Sequence, residues 1–98
     1  MGTTTYNALK MAAVRRGELS AAATQGDVAA QTTLAVMHFN GEGGPQDLAE
    51  ARRLLGLAAA EDHAEAQFML GTMHHKNHGG PQDLAEARRL FGLAAAQG

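Results

Sequence analysis

Apolar and polar positions along this chain follow a helical period, and the pattern recurs in blocks. On a wheel of 100° per residue centred on Leu34, the residues Ala30, Gln31, Met37 and His38 lie within about 60° of it, while Thr32, Val36, Phe39 and Asn40 point away. This spacing predicts a helix from about Asp27 to Asn40, and its counterpart predicts another from about His63 to Asn77. A second pattern places Ala51, Leu54, Leu55 and Ala58 on one face, with Ala87, Leu90, Phe91 and Ala94 as counterparts, and predicts helices over about 48–61 and 84–97. Asp47 and Asp83 stand as N-caps, each with Glu50 or Glu86 three residues on in capping-box spacing. The run Asn40-Gly41-Glu42-Gly43-Gly44-Pro45 ends the preceding helix, because Gly and Asn accept left-handed geometry and Pro cannot extend the ladder. Asn77 takes the place of Gly41 in the second block, as the other residue that tolerates that conformation.

The blocks are an internal repeat. Residues 43–60 read GGPQDLAEARRLLGLAAA and residues 79–96 read GGPQDLAEARRLFGLAAA, 36 residues apart and different only at Leu55 against Phe91. The upstream halves align as well, Ala30-Gln31 with Ala66-Gln67 and Met37-His38 with Met73-His74. A fading copy precedes them, in which Leu19 and Ala22-Ala23 match Leu55 and Ala58-Ala59. It predicts a longer first helix, capped by Thr4 or Thr5 and running to about Gln25. The expected architecture is all-α: a short right-handed α-α superhelix of helix-turn-helix repeats with about five helices. It divides into a half-repeat or capping helix at 1–25 and two repeats at 26–61 and 62–98. Gly56 and Gly92 fall in mid-helix, where each costs up to about 1 kcal/mol relative to Ala, and close packing is the expected reason.

Composition narrows the function classes. Apolar residues make up 45% of the 98 residues and aromatics only 4%, so Ala, Leu and Met must build the core. Eight basic and ten acidic side chains leave a net charge of −2, which argues against a nucleic-acid partner, since phosphate contacts need a basic face. No apolar run approaches the roughly 20 residues of a membrane span, so no membrane role is expected. The start from Met1 to Tyr6 lacks a charged segment followed by an apolar stretch, and with no signal peptide visible a cytoplasmic location is favoured. The absence of Cys removes disulfides and thiolate metal sites, and nothing in the sequence asks for a cofactor.

These residues resemble the Sel-one-like repeat (SLR) family, a relative of the tetratricopeptide repeat. The family pattern runs roughly A-x-A-Q-x-x-L-G-x-M-Y-x-x-G-x-G-V-x-x-D-x-x-x-A-x-x-W-Y-x-x-A-A. Here the second unit has Ala64, Ala66-Gln67, Leu70-Gly71, Met73, Gly79, Asp83, Ala87 and Ala94-Ala95; the first has Ala30-Gln31, Leu34, Met37, Gly41, Gly43, Asp47, Ala51 and Ala58-Ala59. The resemblance covers about residues 15–98. It departs from the pattern where Tyr becomes His38 and His74, where Val becomes Gly44 and Gly80, and where Trp-Tyr becomes Leu54-Leu55 and Leu90-Phe91. What the resemblance implies is a scaffold or adaptor that assembles other proteins, not an enzyme.

Three candidate sites follow from the residues. The outward face of the first helices of each repeat is expected to line the concave side and hold a peptide or helix of another protein. Its positions are Thr32, Val36, Phe39 and Asn40 in one copy and Phe68, Thr72, His75 and Lys76 in the other, and they differ between copies at every position. The last helix carries Leu90, Phe91 and Leu93 and is expected to expose apolar surface for self-association into a homo-oligomer. His74 and His78, four apart with His75 adjacent, are weak metal candidates, because no Glu stands between them and the helix ends near Asn77. No Ser or Cys nucleophile sits near a His, so no catalytic residue is assigned. The paired arginines Arg15-Arg16, Arg52-Arg53 and Arg88-Arg89 read as a solvated face, with Glu50–Arg53 and Glu86–Arg89 ion pairs three residues apart.

Overall fold

The computed structural model describes residues 2–98. Five helices follow one another: α1 (Gly2–Thr24), α2 (Val28–Asn40), α3 (Leu48–Ala60), α4 (Ala64–Lys76) and α5 (Leu84–Gln97), with no strand among the described residues. Each packs against the next, and the stack measures 47 × 26 × 21 Å, an elongated all-α solenoid. None of these helices is long and apolar enough to cross a membrane.

The helix boundaries follow from local chemistry. The side chains of Asp27, Asp47 and Asp83 accept hydrogen bonds from the amides of Ala30, Glu50 and Glu86 at 3.0, 2.9 and 3.0 Å. The capping box is only half formed: the Asp47 and Asp83 amides donate to the carbonyls of His38 and His74, and Glu50 and Glu86 turn to Arg53 and Arg89. Gly41 and Asn77 close α2 and α4 in the left-handed conformation, with φ of 72° and 61°. Thr4 and Thr5 do not cap α1. They lie within it, because the helix begins at Gly2.

The core is mostly Ala and Leu, as the scarcity of aromatics requires. Ala35, Ala51, Ala58 and Ala66 are completely buried, and Leu34, Leu54, Leu55, Leu70 and Leu90 fill the space between them. Small side chains let adjacent helices approach closely, and Gly71 goes further, since a Cβ there would lie 2.8 Å from Cε1 of Phe91 on α5. Gly56 and Gly92 do not share this role. Nothing lies within 4 Å of the position a Cβ would take at either, so close packing is not their reason and the structure supplies no other.

The joints between repeats repeat as faithfully as the helices. The Gln31 amide donates to the carbonyl of Ala23 at 3.2 Å, and the Gln67 amide donates to that of Ala59 at the same distance. Gly43 and Gly79, both at φ 72°, lie so close to the preceding helix that a Cβ would fall on the carbonyl of Ala12 or of Leu48. Each turn is therefore pressed against the helix one repeat earlier.

Candidate functional site

Two arrangements bring polar or apolar groups together, one at the joints and one in a hollow between the first helices. At the joints, the guanidinium of Arg16 reaches across to the next turn. Its Nη1 donates to the Glu42 carbonyl at 3.0 Å, its Nη2 donates to the Pro45 carbonyl at 2.9 Å, and Nη2 also donates to Nδ1 of His38. Arg52 repeats the pattern, with the His78 carbonyl at 3.2 Å, the Pro81 carbonyl at 2.8 Å, and Nδ1 of His74. Arg16 and Arg52 therefore leave the solvated face expected of the Arg pairs and bind the joints. Arg53 and Arg89 keep that face and pair with Glu50 and Glu86.

Two departures from the repeat pattern now have one cause. A side chain at Gly44 or Gly80 would strike the guanidinium of Arg16 or Arg52, and the residue in the pattern's Tyr place is the imidazole that accepts from it. Because Arg is always protonated, Nδ1 must accept, so each ring is neutral and carries its proton on Nε2. Burial, and then the neighbouring Arg16 or Arg52, hold His38 and His74 below the ordinary histidine value of 6.5; Asp47 and Glu50, or Asp83 and Glu86, oppose this without reversing it.

A histidine with a lowered pKa in the folded chain binds fewer protons than in the unfolded chain. Its contribution to stability is complete above about pH 6.5 and is lost as the pH falls below that value towards the lowered folded pKa. Thermal melts should therefore be level above about pH 7 and decline between about pH 6.5 and 5, whereas the double variant His38→Gln, His74→Gln should be flatter over that interval. A wild-type melting temperature that does not change from pH 7 to 5 contradicts this.

The hollow lies between α2 and α4 over the floor residue Leu55 and holds about 220 Å³. Ala35 and Phe39 form one wall, Phe68, Met69, Thr72 and Met73 the other, with Lys76 and His78 at the end. The His78 ring tilts against Phe39 with centroids 5.4 Å apart, and Phe68 packs against Phe91 at 5.5 Å. Phe68 nevertheless remains 59% exposed, and Lys76 forms no ion pair among the described residues.

Of the eight positions expected on the outward face, the hollow gathers Phe39, Phe68, Thr72 and Lys76. Thr32 is not on that surface: it is 3% exposed and its hydroxyl donates to the Val28 carbonyl at 3.0 Å, because α2 is enclosed by neighbours on more sides than its own period reveals. Val36 is half-buried outside the hollow, Asn40 donates to Glu42, and His75 is exposed. Ala35, Leu55, Met69, Met73 and His78 also line the hollow, although none of them is among the eight positions expected on the outward face. On the last helix, Leu90 is buried in the core and unavailable for self-association, whereas Phe91 is half-buried and Leu93 exposed. The histidines divide between tasks, His74 in the fork of Arg52 and His78 against Phe39, and no three His, Asp or Glu residues gather as metal ligands among the described residues.

The Sel1 repeat model matches residues 28–63 and again residues 64–98. A Sel1 repeat protein of Oxalobacter formigenes superposes with a TM-score of 0.85 at 27% identity, over 88% of this chain and 35% of that one. A protective antigen present in uropathogenic Escherichia coli strains, displaying an SLR fold, superposes with a TM-score of 0.80 at 32% identity, over 82% of this chain and 17% of that one. No curated protein matches the sequence. This chain thus spans about a third of the first structure and about a sixth of the second. Two consecutive matches to one repeat, on helix pairs stacked as in these structures, place the chain in the Sel1 repeat family.

Proposed function

We propose that the chain is a protein-interaction module that seats a bulky apolar side chain of a partner segment in the hollow between α2 and α4. Sel1 repeats are in general protein–protein interaction modules, and the hollow is the feature that carries the reading here. Its 220 Å³ exceeds the roughly 150 Å³ of a dry engineered cavity that binds benzene, so a Leu, Met or Phe side chain fits. Its walls come from both repeats, which makes the shape depend on their stacking. Lys76 at one end, with no carboxylate in the lining, favours a segment that carries Asp or Glu beside the apolar anchor.

Peptide-display selection against the whole chain tests this. Enriched peptides should pair an apolar anchor with an adjacent acidic residue, and Phe68→Ala should weaken them about tenfold or more while leaving helicity intact, because Phe68 is largely exposed. Binding that is indifferent to Phe68→Ala overturns the assignment of the hollow. Enrichment of basic neighbours overturns the role given to Lys76.

A further inference from the structure

One residue connects the second joint to the hollow. Arg52 holds the turn after α4 by the carbonyls of His78 and Pro81, at 3.2 and 2.8 Å, and holds α4 itself through Nδ1 of His74. The ring of the same His78 stands at the end of the hollow, tilted against Phe39 of α2. The main chain of His78 therefore belongs to the joint and its side chain to the hollow. The first joint lacks this connection. Glu42 stands there in the place of His78, and neither Glu42 nor Pro45 lines the hollow.

The guanidinium of Arg52 has no room to yield. A Cβ at Gly80 would fall on its Nη1, so it is wedged between the backbone of the turn and the imidazole of His74. The charged groups that face His74 are Arg52 from α3, and Asp83 and Glu86 from the start of α5. Asp83 accepts from the Glu86 amide and Glu86 pairs with Arg89, so neither carboxylate is free to replace the bond from Arg52. A proton on Nδ1 sets two donors and two positive charges against each other. The bond to Nη2 is then lost, and the guanidinium is pressed against the turn that carries His78.

With the hollow as the seat of a partner's apolar side chain, the role proposed above and the one on which this depends, we infer that protonation of His74 withdraws the His78 ring from the hollow and releases the occupant. The hollow is a pH-gated site, closed around its ligand at neutral pH and opened by acid. Burial and Arg52 hold His74 below its ordinary value of 6.5, so the neutral form dominates at pH 7 and the protonated form grows as the pH falls below about 6.5 towards the lowered value. An occupant that binds only the neutral form loses at most about tenfold in affinity per pH unit, the limit set by one proton. His38, faced by Arg16 from α1 and by Asp47, Glu50 and Arg53 from the start of α3, makes the same bond, but its turn ends away from the hollow. Its protonation loosens the first joint without opening the site.

Two measurements on the whole chain test this. In NMR spectra, contacts between the rings of Phe39 and His78 should be strong at pH 7.5 and weaken at pH 5.5, with helicity retained by circular dichroism. They should persist at both pH values in His74→Gln, whose carboxamide oxygen still accepts from Arg52 but does not titrate, and should follow the wild type in His38→Gln. A peptide with one Phe between two Asp residues, titrated by calorimetry, should bind wild type and His38→Gln about three- to tenfold more weakly at pH 5.5 than at 7.5. It should bind His74→Gln equally at both, since its own carboxylates stay ionised over that interval. Ring contacts or wild-type affinity unchanged by acid overturn the gate alone, as does a pH dependence that survives in His74→Gln and so belongs to another group. A peptide that binds at neither pH overturns the role given to the hollow, and the gate with it.

Discussion

Gly79→Ala should lower the melting temperature by about 15 °C, the effect of roughly 3 kcal/mol in a domain of this size. Two costs add at this residue. The backbone is at φ 72°, a left-handed conformation that costs a residue bearing a Cβ roughly 1–2 kcal/mol. The new methyl group would also fall on the Leu48 carbonyl, a backbone atom held within α3 that cannot turn aside. Relief requires the turn to lift from α3, and that lengthens the bonds from Arg52 to the His78 and Pro81 carbonyls. Gly26→Ala separates the two costs, because Gly26 has φ 91° and nothing within 4 Å of its Cβ position. It should lose only the conformational part, about 1–2 kcal/mol. Equal losses from the two variants, measured by thermal or urea unfolding, contradict the close approach at Gly79.

Arg52→Ala should cost about 2 kcal/mol, near 10 °C in melting temperature, while Arg53→Ala costs less than about 1 kcal/mol. Both are arginines on the same helix. Arg52 donates to two turn carbonyls and to His74, all of them part of the joint between repeats, and a charged donor to such groups is worth about 1.5–3 kcal/mol. Arg53 pairs with Glu50 one turn away on an exposed face, where such pairs contribute little. Arg52→Lys should recover little, because an ammonium is a point charge and cannot span three acceptors in a planar fork. Equal losses at Arg52 and Arg53 would show that the fork does not hold the repeats together. The same variant should remove part of the acid sensitivity, since the His74 ring is held neutral partly by this guanidinium.

How far the sequence could be read depended on the range of the interaction. The caps at Asp47 and Asp83 and the left-handed closures at Gly41 and Asn77 were legible because each involves neighbours within one or two turns. The ion pairs Glu50–Arg53 and Glu86–Arg89 were legible for the same reason. The burial of Thr32 was not, since a wheel describes one helix in isolation and α2 has neighbours on several sides. Nor were the roles of Arg16 and Arg52, which act on residues 22–29 positions away. The pattern departures at His38, His74, Gly44 and Gly80 were visible in sequence as separate substitutions. Their common cause, one guanidinium in each joint, was not.

By itself the sequence determined the helices, their ends, the 36-residue period and hence the family, because these depend on local periodicity, capping and self-similarity. It also named both phenylalanines of the hollow. Only the tertiary structure decided that Phe39 and Phe68 share one wall-to-wall space, that Leu55 forms its floor, and that Arg16 and Arg52 each bind a histidine and two turn carbonyls at a joint. The physical reason is stacking. A solenoid folds each repeat locally but builds its surfaces from residues of adjacent repeats, and their meeting depends on how closely the joints allow the helices to pack.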